Sequence, residues 1–176
     1  MISERAKESI GRIFAGAARS RLPTSDGHAC EIVDRHRDAG SPQARVVVLT
    51  ISSMQFRLLL LLHFDDDAGM RDYYVGDASR PLADAFMEVA NLCCGAMNQR
   101  LVEHFPDLGM STPYTLSSDC VPYLATLKPA HVASYDVSIN DTVRIGATLC
   151  VCTGAPLDFL AEEAADAESG GELELF

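Results

Sequence analysis

The chain has 176 residues, 48% of them hydrophobic and 22% charged, with a formal charge of −11 at pH 7, the composition of one soluble domain large enough to bury its own core. The negative balance argues against a nucleic-acid surface, because phosphate contacts need clustered Lys and Arg. No apolar run approaches the length that spans a bilayer, the longest being Leu58 to Leu62.

The N-terminal stretch mixes charges into its apolar positions, unlike a signal peptide, and the protein is expected to be cytoplasmic. Ile2, Ala6, Ile10, Ile13, Phe14 and Ala17 recur at helical spacing and predict an amphipathic helix over residues 2–19. Leu22-Pro23 and the Thr-Ser-Asp-Gly after it end that helix. A short strand over 28–35 follows, then a turn cluster over 38–42. Residues 45–52 and 55–64 read as two strands joined tightly through Ser53-Met54, as in a hairpin. The near-continuous Leu run of the second predicts burial on both faces, with helices covering the sheet. Asp65-Asp66-Asp67 lacks the spaced oxygens and terminal Glu of a calcium loop and reads as a solvated turn. Tyr73 to Val75 fits a short strand or a turn, and Asp77 and Ser79 are candidate caps for the next helix.

That helix, residues 80–104, organises the chain. At about 100° per residue, Asp84, Glu88, Asn91, Gly95 and Asn98 share a stripe roughly 80° wide. Leu82, Phe86, Val89, Ala90, Cys93, Met97 and Leu101 gather on the opposite side, and Cys94 lies off that buried face. Polar helix faces usually collect Lys, Glu and Gln. Asn is a poorer helix former, and Gly costs about 1 kcal/mol relative to Ala in a helix interior. Asn91 and Gly95 therefore spend stability where packing does not ask for it.

Beyond the loop at 107–109, candidate strands fall at 114–116, 123–128, 131–139 and 142–152, with Asn140-Asp141 as the last turn. From Thr153 the chain becomes acidic. Residues 157–167 are compatible with a short helix, and the Gly-interrupted end beyond it reads as a flexible, dispensable tail. The expected division is a domain over 1–152 and an acidic extension over 153–176. The element order, with mostly hairpin-type connections, predicts an α+β fold: two long helices packed on a largely antiparallel sheet of about six strands.

Six cysteines in a chain read as non-secreted do not form a disulfide framework, and neither Cys93/Cys94 nor Cys150/Cys152 has metal-knuckle or redox-motif spacing. No metal site is expected. Common nucleotide, zinc-protease and hydrolase signatures are absent.

What remains is Asp84-x3-Glu88-x2-Asn91, followed after 21 residues by Pro113. This resembles the signature of the CheC/CheX/FliY family of bacterial chemotaxis phosphatases: Asp or Ser, Glu and Asn at this spacing, then a Pro about 22 positions on. Gly95 also sits where that family often carries glycine. The first helix has Ser3-x3-Lys7-x2-Ile10 in the equivalent frame, with Lys and Ile where Glu and Asn belong, so the chain resembles the single-motif CheX type. The resemblance implies hydrolysis of the aspartyl phosphate of a CheY-type response regulator, with Glu88 and Asn91 as the catalytic pair. Asp84, Gly95 and Asn98 would face the partner, and Pro113 would shape the neighbouring loop. It also implies a homodimer, with no cofactor on this chain and Mg²⁺ carried by the phosphorylated partner. The rival expectations are a non-catalytic module that docks a phosphorylated receiver or a motor component, and a thiol sensor built on Cys93, Cys94, Cys150 and Cys152.

Overall fold

The computed structural model describes residues 1–35 and 43–162. The turn cluster expected over 38–42 and the acidic tail from residue 163 lie outside the described residues. Helix α1 spans Glu4–Arg21. Its N-cap Ser3 accepts the Ala6 amide N–H, and Ala6, Ile10, Ile13, Phe14 and Ala17 are buried along one stripe. Strands β1 (Cys30–Asp34), β2 (Arg45–Ser52) and β3 (Phe56–Phe64) follow. The hairpin between β2 and β3 forms as the sequence predicts, in the register Leu49 opposite Leu60.

Residues Ala68–Tyr74 form a short helix, α2, and not the strand or turn expected around Tyr73. The aromatic, β-branched run Tyr73-Tyr74-Val75 favours a strand by propensity, but Asp67 caps the Met70 amide at 2.8 Å and the Tyr74 hydroxyl donates to the Leu22 carbonyl at 2.9 Å. The three aspartates before it each have structural partners. Asp65 accepts the Ala44 N–H, Asp66 pairs with Arg71, and Asp67 is the cap. Helix α3, Leu82–Val102, is the longest helix.

Strands β4 (Gly109–Met110), β5 (Tyr114–Ser117), β6 (His131–Ile139) and β7 (Val143–Thr153) complete the sheet. It has seven strands in the order β1-β6-β7-β3-β2-β4, with β5 also on β2, and the pairings are antiparallel. Asn140 and Asp141 both take positive φ, as a tight turn between β6 and β7 requires.

Helices α1 and α3 pack side by side on one sheet face. Between them and the sheet lies the main core, including Leu58, Leu60 and Leu62 of β3 and Ile145, Leu149 and Val151 of β7. Among the described residues no long α-helix covers the opposite face. Residues Ser118–Leu127, expected in part to be a strand, form a 3-10 segment that crosses it. Cys120, Val121 and Leu124 of this segment cover Val46, Val48 and Leu61. The strand expected over 123–128 gives way to this packing, which lays partly buried apolar side chains of the segment against the sheet face and not in a ladder.

The core does not stop at residue 152. Leu157, Phe159 and Ala161 are buried, alternating with exposed neighbours. Leu157 bridges to Ile2 in parallel, and the Ala161 amide donates to Ser9 Oγ at 3.0 Å. The helix considered from Leu157 is absent through Glu162, where the chain is extended, and its remainder lies outside the described residues. No helix among the described residues is long and apolar enough to cross a membrane.

Candidate functional site on helix α3

Helix α3 begins without a side-chain cap. Pro81 occupies the N-cap position in an extended conformation, and its carbonyl accepts the Asp84 and Ala85 amides. Neither Asp77 nor Ser79 is the cap. Gly76, at φ +57°, closes α2 by donating its N–H to the Arg71 carbonyl, and the next residues only carry the chain across to Pro81. Asp84 in the first turn supplies the negative charge that a helix N-terminus favours.

The buried arc of α3 holds Leu82, Ala85, Phe86, Ala90, Cys93, Cys94, Met97 and Leu101. Cys94 was expected off this face but is buried, because α1 packs beside α3 while the sheet lies beneath it, so about half the helix circumference is covered. The remaining arc carries the predicted stripe. Asp84 and Glu88 are exposed, and Asn91 and Gly95 are half-buried near its middle. Among the described residues no hydrogen bond engages the donor or the acceptor of the Asn91 carboxamide.

A Cβ added at Gly95 would meet nothing within 4 Å, so packing inside this chain does not require the glycine. Asn98 sits at the margin of the stripe rather than openly upon it. It is half-buried, and its Oδ1 is shielded from solvent without a hydrogen-bond partner among the described residues. Pro113 lies just before β5, the edge strand that packs alongside α3, and is half-buried.

Two features were not singled out from sequence. Leu92 and Val102 border the stripe with exposures of 56% and 41%, adding apolar surface to a polar face. The helical wheel already puts both outside the buried arc, which is the signal that could have found them. The second is Arg80, whose Nη1 lies 2.8 Å from Glu88 Oε2. It precedes the helix, so no helical spacing reveals the pair.

The equivalent frame on α1 presents no such face. Ser3 is the cap, Lys7 pairs with Glu4 at 2.7 Å, and Ile10 is buried in the core. The thiols fare no better as reactive groups. Burial raises the Cys93 thiol far above its ordinary range and pushes Cys94 up to about 12, the reverse of what a reactive thiolate needs. Burial and the neighbouring Cys152 likewise raise Cys150 to about 12. Among the described residues no group of three or more His, Cys, Asp or Glu is placed to hold a metal ion.

No family model and no curated protein sequence matches the chain. Solved structures do. The chemotaxis protein CheX from Vibrio vulnificus superposes with a TM-score of 0.60 at 13% identity, over 81% of this chain and 99% of that one. CheX in a complex with CheY, BeF3 and Mg²⁺ from Borrelia burgdorferi gives 0.57 at 10% identity, over 82% and 96%. The FliM middle domain from Vibrio alginolyticus gives 0.53 at 10% identity, over 84% and 93%. The chain therefore has the α+β fold of the CheX and CheC-like chemotaxis proteins, with its motif-bearing helix exposed along one side of that fold.

Proposed function

We propose that this chain is a CheX-type phosphatase that hydrolyses the aspartyl phosphate of a CheY-type response regulator docked on α3. The observation that carries the reading is the Asn91 carboxamide, without a hydrogen-bond partner among the described residues, in the middle of an exposed helix face, one turn from Glu88 and beside the open space at Gly95. The motif spacing and the fold shared with CheX support it from two independent directions.

An acyl phosphate needs an in-line water and a site where charge is already neutralised. The receiver's own Mg²⁺ and Lys supply the neutralisation, so this chain supplies geometry. Asn91 donates to and accepts from one water, holding its oxygen in line with the scissile bond. The water oxygen bonds to phosphorus as the P–O bond to the aspartyl carboxylate breaks. Inorganic phosphate leaves, and the aspartate is regenerated. Glu88 pairs with the receiver's Lys and fixes the docking geometry, while Asp84 and Asn98 flank the contact and Gly95 lets the partner's backbone approach. Pro113 holds the loop beside α3. The same reading expects a homodimer, which sedimentation would test.

The shared fold of the FliM middle domain favours one other reading, a module that docks a receiver or motor component without turnover. Phosphate release separates the two. Receivers encoded in the same genome, phosphorylated with a small-molecule phosphodonor and Mg²⁺, should lose phosphate faster with this protein present for at least one of them. Binding without acceleration across the whole panel would establish the docking reading instead.

A further inference from the structure

The Arg80–Glu88 pair has no evident local purpose. Both side chains are largely exposed, at 43% and 68%, and exposed pairs contribute little to stability. Arg80 also places a cation beside a helix N-terminus, where the dipole favours anions. Its reach is unusual as well. Helix pairs form at a spacing of three or four residues, whereas Arg80 lies eight positions before Glu88, outside the helix, and extends back along two turns. Arg100, the cation within α3 itself, is at the far end and engages Glu103 and the Glu162 carbonyl. The face thus holds two carboxylates, Asp84 and Glu88, with a single arginine anchored on the one that the proposed mechanism uses.

We propose that Arg80 is a specificity-determining residue of this face: it occupies Glu88 Oε2, so that an incoming basic side chain of the receiver must displace the guanidinium or share the carboxylate with it. The inference rests on the phosphatase reading and assigns that site a built-in competitor. Docking is weakened for every receiver, and only one whose ammonium is aimed at Glu88 recovers the loss. A partner that approaches with a misplaced cation meets the positive charge of Arg80 instead.

The test uses the full chain and receivers activated with beryllofluoride and Mg²⁺, with affinity measured at low and at high salt for wild type, R80A, E88A and the double variant. R80A should bind about 5-fold more tightly at low salt, the scale of one exposed ion pair. The gain should shrink at high salt and vanish in the E88A background, and in turnover it should appear in KM rather than kcat. R80K should behave as wild type. Affinity that R80A leaves unchanged or lowers, a gain that survives E88A, or a loss in kcat would overturn the competition. Receivers that neither bind nor turn over with any variant would remove the phosphatase reading and this proposal together, a result distinct from binding that ignores Arg80.

Discussion

At the scale of single residues, two positions are placed in ways that packing alone does not reward. Gly95 sits mid-helix with open space where its Cβ would be, so Gly95→Ala should raise stability by about 0.5–1 kcal/mol, read from the urea midpoint. On the proposed reading it should also weaken receiver binding, because the added methyl stands where the partner approaches. A destabilised variant would mean that the glycine serves this chain's own packing. His63 is the opposite case, a fully buried ring on the other sheet face. Its Nε2 lies 3.0 Å from Thr148 Oγ1, and its Nδ1 has no partner among the described residues. Burial, reinforced by the Arg35 guanidinium, pulls its pKa down to about 4 from an ordinary 6.5. The unfolded chain therefore takes up the proton first. Stability from the neutral ring is complete above about pH 6.5 and is lost as the pH falls towards 4, a loss on the order of 2–3 kcal/mol in urea unfolding. A flat profile across that window in wild type would contradict the buried neutral imidazole.

At the scale of elements, helix α3 was legible because periodicity of 3.6 and a run of apolar residues specify both its existence and its buried side. The β2–β3 hairpin was legible for the same reason in period 2, and β6 for its length and β-branched content. What the sequence concealed were elements decided by particular partners. Helix α2 depends on the Asp67 cap and the Tyr74–Leu22 hydrogen bond, and the 3-10 segment on a sheet face that offers an apolar bed. The Arg80–Glu88 pair joins a loop to a helix, beyond any fixed spacing. The segment after β7 belongs with these. Its acidic composition suggested an extension, yet Phe159 meets Phe105 edge-to-face and His104 at a tilt, at centroid distances of 5.1 and 5.0 Å. Asp158 engages Arg5 and Ser3, and these hydrogen bonds hold its carboxyl down at about 2. Phe159→Ala should cost about 3 kcal/mol, measured by thermal or urea unfolding. A change below about 0.5 kcal/mol would show that the segment rests on the domain without belonging to its core.

At the scale of the whole molecule, one side of an antiparallel sheet carries two long helices, of which α3 alone holds Glu and Asn in the motif frame. On α1 the frame is absorbed into structure, with Ser3 as cap and Ile10 in the core, while the segment around Asp158 lies over its first turn. On α3 the frame stays open to solvent, on a fold shared with CheX. The proposed phosphatase activity depends on Asn91, whose side chain is too weak a base to deprotonate water and would act by positioning it. Phosphate release from the phosphorylated receiver, measured for wild type and Asn91→Ala beside their melting curves, tests it most directly. The expected result is a loss on the order of 10²-fold, about 3 kcal/mol of transition-state stabilisation, with folding intact, stability equal or slightly higher, and receiver binding retained. A folded Asn91→Ala variant with full activity would contradict it.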